Sequence, residues 1–412
     1  MTFATGLSGL NTSSADIDVI GNNIANASTV GFKASNAQFA DVYANSLSGG
    51  GAGQIGLGSK VADVAQLFTQ GSITATANPL DVAINGKGFF RMDQNGAITY
   101  ARNGQFHFDA QGFIVNDSQE KLTGYGVDAN GNVLPAAPTP IQISFSDVAP
   151  KTTSAFRLAM NFDATASPPA TAVFDPTDPT SYNFTTSGNV FDTLGNSHIF
   201  TSYFVKTATA GQWQVFGTVD GIVPSNVNLG AGAGNPAVVN FNNTGQLTTA
   251  MPLAASMPIT SGAVTPLNFT FDFSGSTQYG SAFGVNDLTQ DGYTSGRLVG
   301  FNLSPDGIIV GRYTNGQTRN LGQVVLADFR NPQGLRPLGN NQWAQSADSG
   351  LPIVGAPDSG SLGVVQSSAV EDSNVDLTAE LVNMITAQRI YQANAQTIKT
   401  QDALLQTLVT GL

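Results

Sequence analysis

The sequence predicts a mainly β protein with α-helical termini, organised as a nested multidomain chain. Apolar residues recur at helical spacing near the two ends, whereas Asn-Gly and Asp-Gly pairs, which favour tight hairpin turns, recur through the middle. Between Ser146 and Val285 the chain becomes richer in Thr, Ala and Pro, which indicates a separate domain inserted into another one. With 412 residues the chain can hold about two to four domains.

The N-terminal segment is predicted to form an amphipathic helix. Its apolar residues are separated by three, four or seven positions and therefore share one face. They are Phe3, Leu7, Leu10, Ile17, Ile20 and Ile24. A polar stretch and then Gly31 follow, and the helical pattern ends there. Residues 34–64 predict mixed loop structure, so segment 1–70 is interpreted as a helix with a connecting loop.

The middle of the chain is predicted to be antiparallel β structure, because short β-branched or aromatic runs alternate with turn signals. Hairpin turns are predicted at Asn85-Gly86, Asn95-Gly96, Asn103-Gly104, Asn130-Gly131, Asp220-Gly221, Asp291-Gly292, Asp306-Gly307 and Asn315-Gly316. The change in composition divides this region into a split β domain, residues 71–145 and 286–358, and an inserted β domain, residues 146–285.

The C-terminal segment 359–412 carries the stronger helical pattern. Ten positions alternate by four and three residues, and eight of them are apolar: Leu377, Leu381, Met384, Gln388, Tyr391, Ala395, Ile398, Asp402, Leu405 and Val409. Asp376 is a suitable N-cap, and the predicted helix of about 33 residues would be about 50 Å long. Packing inside one domain is one interpretation. The two helices lie at opposite ends of a β-rich chain, which favours pairing that neighbouring subunits make or complete.

Composition argues against most classes of enzyme and of charged binding partner. The chain has 16 basic and 28 acidic residues, a net charge of −12, no Cys and two His. It therefore has no general attraction to nucleic acid or to anionic lipid, no thiolate chemistry and almost no imidazole for catalysis or metal binding. We expect no cofactor, no metal and no small-molecule substrate.

Individual motifs do not change that expectation. Gly51, Gly53 and Gly56 match a dinucleotide-binding pattern, but no strand precedes them and no helix follows, so a flexible loop is the better interpretation. His107 and His198 are predicted to be surface or interface residues. A secreted β-rich glycan-binding protein or enzyme stays as an alternative, with Trp213 and Trp343 as the stacking candidates. We expect instead one core Trp in each β domain.

No targeting segment is evident. The N-terminus lacks the basic and long apolar regions of a secretory signal peptide, and no stretch reaches the ~18–20 apolar residues of a membrane span. The absence of Cys, the low charge and the abundant Gly, Ser, Thr and Asn are nevertheless typical of exported bacterial proteins. We therefore expect export without a cleaved signal peptide.

Both ends of the sequence resemble the bacterial flagellar axial proteins, the rod and hook family. The N-terminal motif NNIANASTVGFK includes Asn22, Asn23, Asn26, Gly31, Phe32 and Lys33. Residues 373–412 resemble the C-terminal motif of that family, and NPLDVAINGKGFFR and YARNGQF resemble the β segment that follows the N-terminal motif. Rod proteins lack a large insertion, so the roughly 140 residues between Ser146 and Val285 favour the hook branch, with a distal rod subunit as the alternative.

The resemblance implies an architecture and a role. The terminal helices would form a coiled-coil core domain around a channel, with two β domains outside it. The subunit would self-assemble into a hollow, curved and flexible tube, which acts as a universal joint between rod and filament. The implied partners are rod, hook cap and hook–filament junction proteins and the flagellar type III export apparatus. The apolar residues of both terminal stripes would then pack between subunits.

Overall fold

The computed structural model describes residues 3–42, 57–128, 131–221 and 226–410, with side chains up to residue 407. The pattern formed by Gly51, Gly53 and Gly56 lies outside these residues, as does the side chain of Val409. Within the described ranges no helix is long and apolar enough to cross a lipid bilayer. The chain divides into two compact units: unit 1, Met1–Phe145, Gly300–Arg312 and Thr318–Leu412, and unit 2, Ser146–Val299 and Tyr313–Gln317.

A helix occupies each end of the chain, as the periodicity predicts. Helix α1 spans Phe3–Ala25 and helix α2 spans Leu377–Thr410. The Asp376 carboxylate accepts hydrogen bonds from the backbone N–H groups of Thr378 and Ala379, at 2.9 and 3.1 Å, so it is the N-cap of α2. The two helices pack against each other within unit 1, which confirms the predicted fold class of a mainly β chain with helical termini.

The prediction of loop structure after α1 is wrong. Strands β1 (Ser35–Val42) and β2 (Gly58–Gln66) pair as an antiparallel hairpin with a bulge near Phe39. Most of their side chains are exposed or half-buried, so the sequence shows no regular alternation of apolar and polar residues. The hairpin contacts α1, where the hydroxyls of Thr12 and Ser59 lie 3.1 Å apart.

The first β segment of unit 1 contains short strands joined by tight turns. They are β3 (Ile73–Ala75), β4 (Val82–Asn85), β5 (Phe89–Gln94), β6 (Ala97–Ala101), β7 (His107–Phe108), β8 (Ile114–Val115), β9 (Lys121–Tyr125) and β10 (Thr139–Pro140). The turn between β5 and β6 has Asn95 and Gly96 at φ of 54° and 91°. Both values are in the left-handed region that a type I′ hairpin turn requires, which is why Asn-Gly identifies this turn.

Unit 2 is a two-sheet β structure. Its strands are β11 (Ala155–Asp163), β12 (Phe184–Phe191), β13 (Ser197–Lys206), β14 (Gln212–Val219), β15 (Ala237–Asn240), β16 (Leu253–Met257), β17 (Leu267–Asp272), β18 (Thr277–Tyr279) and β19 (Gly284–Gln290). One sheet has the order β12-β13-β14-β15, and the other has β16-β17-β11-β18 with β19 also paired to β11. The pairs β11–β17 and β11–β18 are parallel, an exception to the predicted antiparallel pattern.

The second β segment returns to unit 1. Its strands are β20 (Leu298–Leu303), β21 (Ile308–Tyr313), β22 (Thr318–Val324), β23 (Leu326–Asp328), β24 (Arg336–Gly339), β25 (Gln342–Ala344), β26 (Ile353–Gly355), β27 (Val364–Ser367) and β28 (Ala369–Glu371), with a 3-10 turn at Pro332–Gly334. Strand β22 pairs with β9, β23 with β5, and β25 with β6. Segments that are far apart in sequence therefore share one sheet.

Each unit has its own aromatic core. Trp343 packs with Phe89, Tyr100 and Phe329 in unit 1, whereas Trp213 is fully buried in the core of unit 2. The expectation of one core Trp in each β region is confirmed, and neither Trp is available to stack on a sugar. The predicted domain boundary at Val285 falls inside strand β19, whose residues 284–290 pair with β11.

Candidate assembly surface

Helices α1 and α2 approach closely because glycine residues of α1 face α2. A Cβ atom at Gly6 would lie 3.1 Å from Ile398 Cγ1, and one at Gly9 would lie 2.8 Å from Asn394 Nδ2. Glycine has no side chain to separate the two backbones, so long side chains of α2 fit against α1 at these points. The contact is therefore narrow and leaves much of both helices uncovered.

The side of α2 that faces α1 is displaced from the predicted stripe. Ala395 of the predicted stripe is half-buried, but five other buried or half-buried positions repeat by four, three, seven and four: Glu380, Met384, Ala387, Asn394 and Ile398. Met384 and Ile398 belong to the predicted stripe, and the other three do not. A shift of one residue rotates the contacting face by about 100°.

Several residues of the predicted stripes are exposed in the single chain. The exposed fractions are 47% for Leu377 and Leu381 and 55% for Leu405. In α1, Phe3 and Leu7 are also exposed, Leu10, Ile17 and Ile24 are half-buried, and Ile20 is buried. In α2, Tyr391 is exposed, and Ala395 is half-buried. The interpretation of these residues as contacts between subunits stays a prediction.

The asparagines of the N-terminal motif tie α1 to its surroundings. Asn23 is buried and exchanges two hydrogen bonds with the backbone of Ser35, at 2.8 and 2.9 Å, and donates a third to Glu380 Oε1 at 3.2 Å. It therefore joins α1, β1 and α2. Asn26 donates to Asn22 Oδ1 at 2.6 Å and so closes the last turn of α1.

Lys33 belongs to a buried ion cluster that joins both ends of the chain to the β structure of unit 1. Its Nζ lies 2.6 Å from Glu371 Oε1 and 2.7 Å from the carbonyl oxygen of Thr69, and Glu371 Oε2 accepts from Arg102 at 3.0 Å. Burial lowers the pKa of Lys33, and the charge of Glu371 opposes that lowering. The sequence offered no signal for this cluster, because its members are about 70 to 340 residues apart.

Gly31 and Phe32, which precede Lys33, complete the motif. Gly31 has a φ of 71°, and a Cβ there would lie 2.5 Å from the backbone N of Asn103. Glycine is therefore required for both conformation and space. Phe32 is half-buried. The motif is thus a structural junction at the point where the helical segment meets the β region.

A groove opens between α1, β1 and α2. Its cavity volume is about 430 Å³, and its lining includes Asp16, Val19, Phe39, Glu380 and Ile390. Burial raises the pKa of Asp16. Leu67 of the lining is exposed, and so are apolar side chains of the β1–β2 hairpin and of α2 outside the lining: Val61, Val64, Val382, Ile385 and Leu404. The described part of the chain thus concentrates exposed apolar surface in its terminal segments.

Catalytic chemistry is not evident in the described residues. No group of three acidic or His side chains among them is placed to hold a metal ion. His198 is buried, contrary to the predicted surface position, and its two ring nitrogens lie 2.8 Å from Asp220 Oδ2 and 3.1 Å from Asp192 Oδ2. Both contacts explain the burial, because they satisfy an imidazolium without water.

Four family models match successive parts of the chain. They are "Flagella basal body rod protein" over residues 3–33, "Flagellar hook protein FlgE/F/G D1 domain" over 83–166, "Flagellar basal body protein FlaE D2 domain" over 161–293, and "Flagellar basal body rod FlgEFG protein C-terminal" over 366–411. The two terminal models and the first β model overlap the motifs on which the family resemblance rests.

Hook proteins match this chain over nearly its whole length. The chain is 42% identical to Flagellar hook protein FlgE of Escherichia coli and 41% identical to that of Salmonella typhimurium, over 99% of both chains in each pair. It belongs to the flagellar hook protein family. A hook protein of Borreliella burgdorferi is 30% identical over 98% of both chains. The chain is therefore a structural, non-enzymatic subunit of the flagellar hook, as predicted, and not a glycan-binding protein or an enzyme.

One solved structure supports the fold. The crystal structure of Helicobacter pylori flagellar hook protein FlgE2 aligns along its whole length with 72% of this chain. The TM-score is 0.52, and the sequence identity is 14%. At that identity the likeness concerns the fold alone. Membership of the hook family further means that the chain self-assembles and is part of the flagellum, at the hook and basal body.

Proposed function

We propose that the chain builds a hollow, curved and flexible tube that joins rod to filament and transmits torque. In this proposal segments 1–70 and 359–412 form the assembly core, and the β domains, residues 71–145 with 286–358 and residues 146–285, lie outside it. The apolar residues of the two terminal stripes pack between subunits, with Phe3, Leu381 and Leu405 among the most exposed. Their exposure in the single chain is the observation that supports the proposal.

Burial of these side chains between copies favours association. A fully buried Leu or Phe side chain contributes roughly 1.5–3 kcal/mol relative to an exposed one, so several half-exposed residues on each copy give a substantial drive for association. Few charges accompany them, since 11% of all residues are charged. Low charge suits a joint whose subunits shift against each other, because strong ion pairs would fix one register.

The partners of this tube follow from its position. We assign rod, hook cap and hook–filament junction proteins as its partners and the flagellar type III apparatus as its export route. The family relationship supports a flagellar setting for all of them. Nucleic acid, membrane and small-molecule partners have no place in this proposal.

Negative-stain electron microscopy of concentrated protein tests the proposal. We expect tubes from the full chain and discrete particles from a chain shortened to end at Asp376, which lacks α2 and with it most of the exposed residues of the two terminal stripes. Discrete particles from the full chain under all assembly conditions would contradict the proposal. Tubes from the shortened chain would move the assembly contact away from the terminal helices.

A further inference from the structure

The groove between α1, β1 and α2, which we call the acidic groove, combines two carboxylates with apolar walls. Asp16 of α1 and Glu380 of α2 line it, together with Val19, Phe39 and Ile390. No Lys or Arg is among the described residues that line it. Glu380 accepts one hydrogen bond from Asn23, whereas Asp16 forms no ion pair with any described residue. An occupant should therefore be apolar and positively charged.

The opposite side of α2 carries such a surface. Arg389 is nine residues from Glu380, which places it about 180° around the helix, away from α1. Val382 and Ile385 lie seven and four residues before Arg389 on the same side, and they are 58% and 51% exposed. We call Leu381, Val382, Ile385 and Arg389 the outward stripe. All four side chains are exposed.

Arg389 is an exposed cation of α2. It forms no ion pair with any described residue, and no acidic residue lies three or four positions from it along α2. Lys399, the other exposed cation of α2, has Asp402 three residues further along the helix. Arg389 is therefore available to an outside carboxylate, and its five N–H donors can serve two carboxylates at once.

We propose that the acidic groove of one copy receives the outward stripe of α2 from a second copy, with Arg389 between Asp16 and Glu380. The inference rests on the self-assembly described under Proposed function and assigns one of its contacts. Ile385 and Val382 of the second copy then contact the apolar wall that includes Val19 and Phe39. Opposite charge and exposed apolar surface are thus matched at the same place.

This contact can propagate. The acidic groove and the outward stripe lie on different faces of unit 1, so each copy offers one surface and accepts the other. A head-to-tail contact of this kind produces a ring or an open helical polymer, whereas a contact between identical faces would stop at a dimer. The arrangement is therefore compatible with a tube.

Charge reversal in the full chain tests the pairing, with the critical concentration for tube formation as the readout. We expect Asp16→Lys and Arg389→Glu each to raise that concentration by at least about tenfold, since breaking a close interfacial charge pair is costly. The double variant Asp16→Lys with Arg389→Glu should assemble at a clearly lower concentration than either single variant, and recovery should be partial because Glu380 still repels a carboxylate at position 389. Asp18→Lys and Lys399→Glu, which change the net charge identically outside the groove and the outward stripe, should have little effect.

Four outcomes are distinguishable. Impaired assembly of both single variants, together with better assembly of the double variant, supports the pairing. Single variants that assemble like the original chain, or controls that are as impaired as the single variants, overturn it and leave self-assembly intact. Absence of tubes from the original chain contradicts the proposed function itself. Because Asp16 is half-buried, far-UV circular dichroism must show a folded monomer, and Asp16→Asn, which should weaken assembly to a smaller degree, replaces Asp16→Lys if it does not.

Discussion

Unit 2 buries its large apolar side chains, whereas the terminal helices leave many of theirs exposed. In unit 2, Phe156, Phe162, Phe204 and Trp213 lie between two sheets and are essentially inaccessible to water. In the helix pair, the contact runs through glycines, and large apolar side chains stay exposed. A region with a closed core is complete within one chain, whereas the helix pair requires neighbours. Substitutions in the two regions should therefore have different consequences.

The strongest contrast is expected from Leu405→Asp, which should abolish polymerisation and leave the monomer intact. Leu405 is exposed on α2, so the monomer has little to lose. Between subunits, loss of a buried Leu costs about 2–5 kcal/mol, and an unpaired carboxylate adds several more. The defect recurs in every subunit. Electron microscopy should show no tubes, and cells with this variant should have rods but no hooks.

Leu405→Met is the matched control, because it keeps the side chain apolar and of similar volume. It should assemble normally. Two results would contradict the assignment of Leu405 to a subunit interface. Normal tubes from Leu405→Asp would remove the residue from the interface, and a monomer that unfolds at a clearly lower temperature would place it in the chain's own core.

The opposite pattern is expected in unit 2. Phe156→Ala removes a ring that packs edge-on against Phe200 and Phe271 and should cost about 3–5 kcal/mol of unfolding free energy. In a Trp343→Phe background, fluorescence of Trp213 reports the unfolding of unit 2 specifically. The exposed control Val173→Ala should change the free energy by less than about 0.5 kcal/mol. Equal effects of the two substitutions would mean that the aromatic core is not closed.

A substitution in the buried ion cluster should have a third, smaller effect, on the stability of unit 1. Glu371→Gln leaves Lys33 and Arg102 without their shared counter-charge and should destabilise unit 1 by about 3 kcal/mol, near the lower limit for a broken buried pair because the amide still accepts hydrogen bonds. Denaturation followed by Trp343 fluorescence in a Trp213→Phe background measures it. The neighbouring Asp372→Asn, which is partly exposed, should have a clearly smaller effect. If Glu371→Gln left the stability of unit 1 unchanged, that result would contradict a structural role of the ion cluster.

The sequence predicted the regular parts of this molecule and missed those that depend on distant residues. Helix α2 and its cap at Asp376 follow from local spacing and chemistry, and so does the turn at Asn95-Gly96. The β1–β2 hairpin was missed because its side chains are mostly exposed, and exposure removes the alternating pattern. The side of α2 that faces α1 was displaced because two polar residues, Glu380 and Asn394, lie on it, and a pattern of apolar residues does not mark them.

The predicted position of His198 was wrong for a related reason. A lone His beside an Asn-Ser turn looks like a surface residue, and only the folded chain brings Asp192 and Asp220 to its two ring nitrogens. Burial disfavours the charged imidazole, but the hydrogen bonds and charges of Asp220 and Asp192 outweigh it and raise the pKa of His198. Hydrogen bonds from Ser261, Asn196 and His198 likewise outweigh burial and hold the pKa of Asp192 well below its usual range.

These pKa shifts predict the smallest effect, a pH-dependent stability of unit 2. A raised pKa means that His198 contributes fully below its unfolded pKa of about 6.5, and that the contribution is lost as pH rises through the higher folded pKa. Asp192 acts in the opposite sense, because its contribution is lost only on acidification below about pH 4. Trp213 fluorescence in the Trp343→Phe background should show unit 2 less stable at pH 9 than at pH 5.5. His198→Gln should lower stability by about 1.5–3 kcal/mol at pH 5.5, the range for hydrogen bonds to charged groups, and by less at pH 9. The exposed His107→Gln should leave the pH dependence unchanged. A pH dependence that persists in His198→Gln would assign it to other groups and leave the Asp192–His198–Asp220 cluster without a part in it.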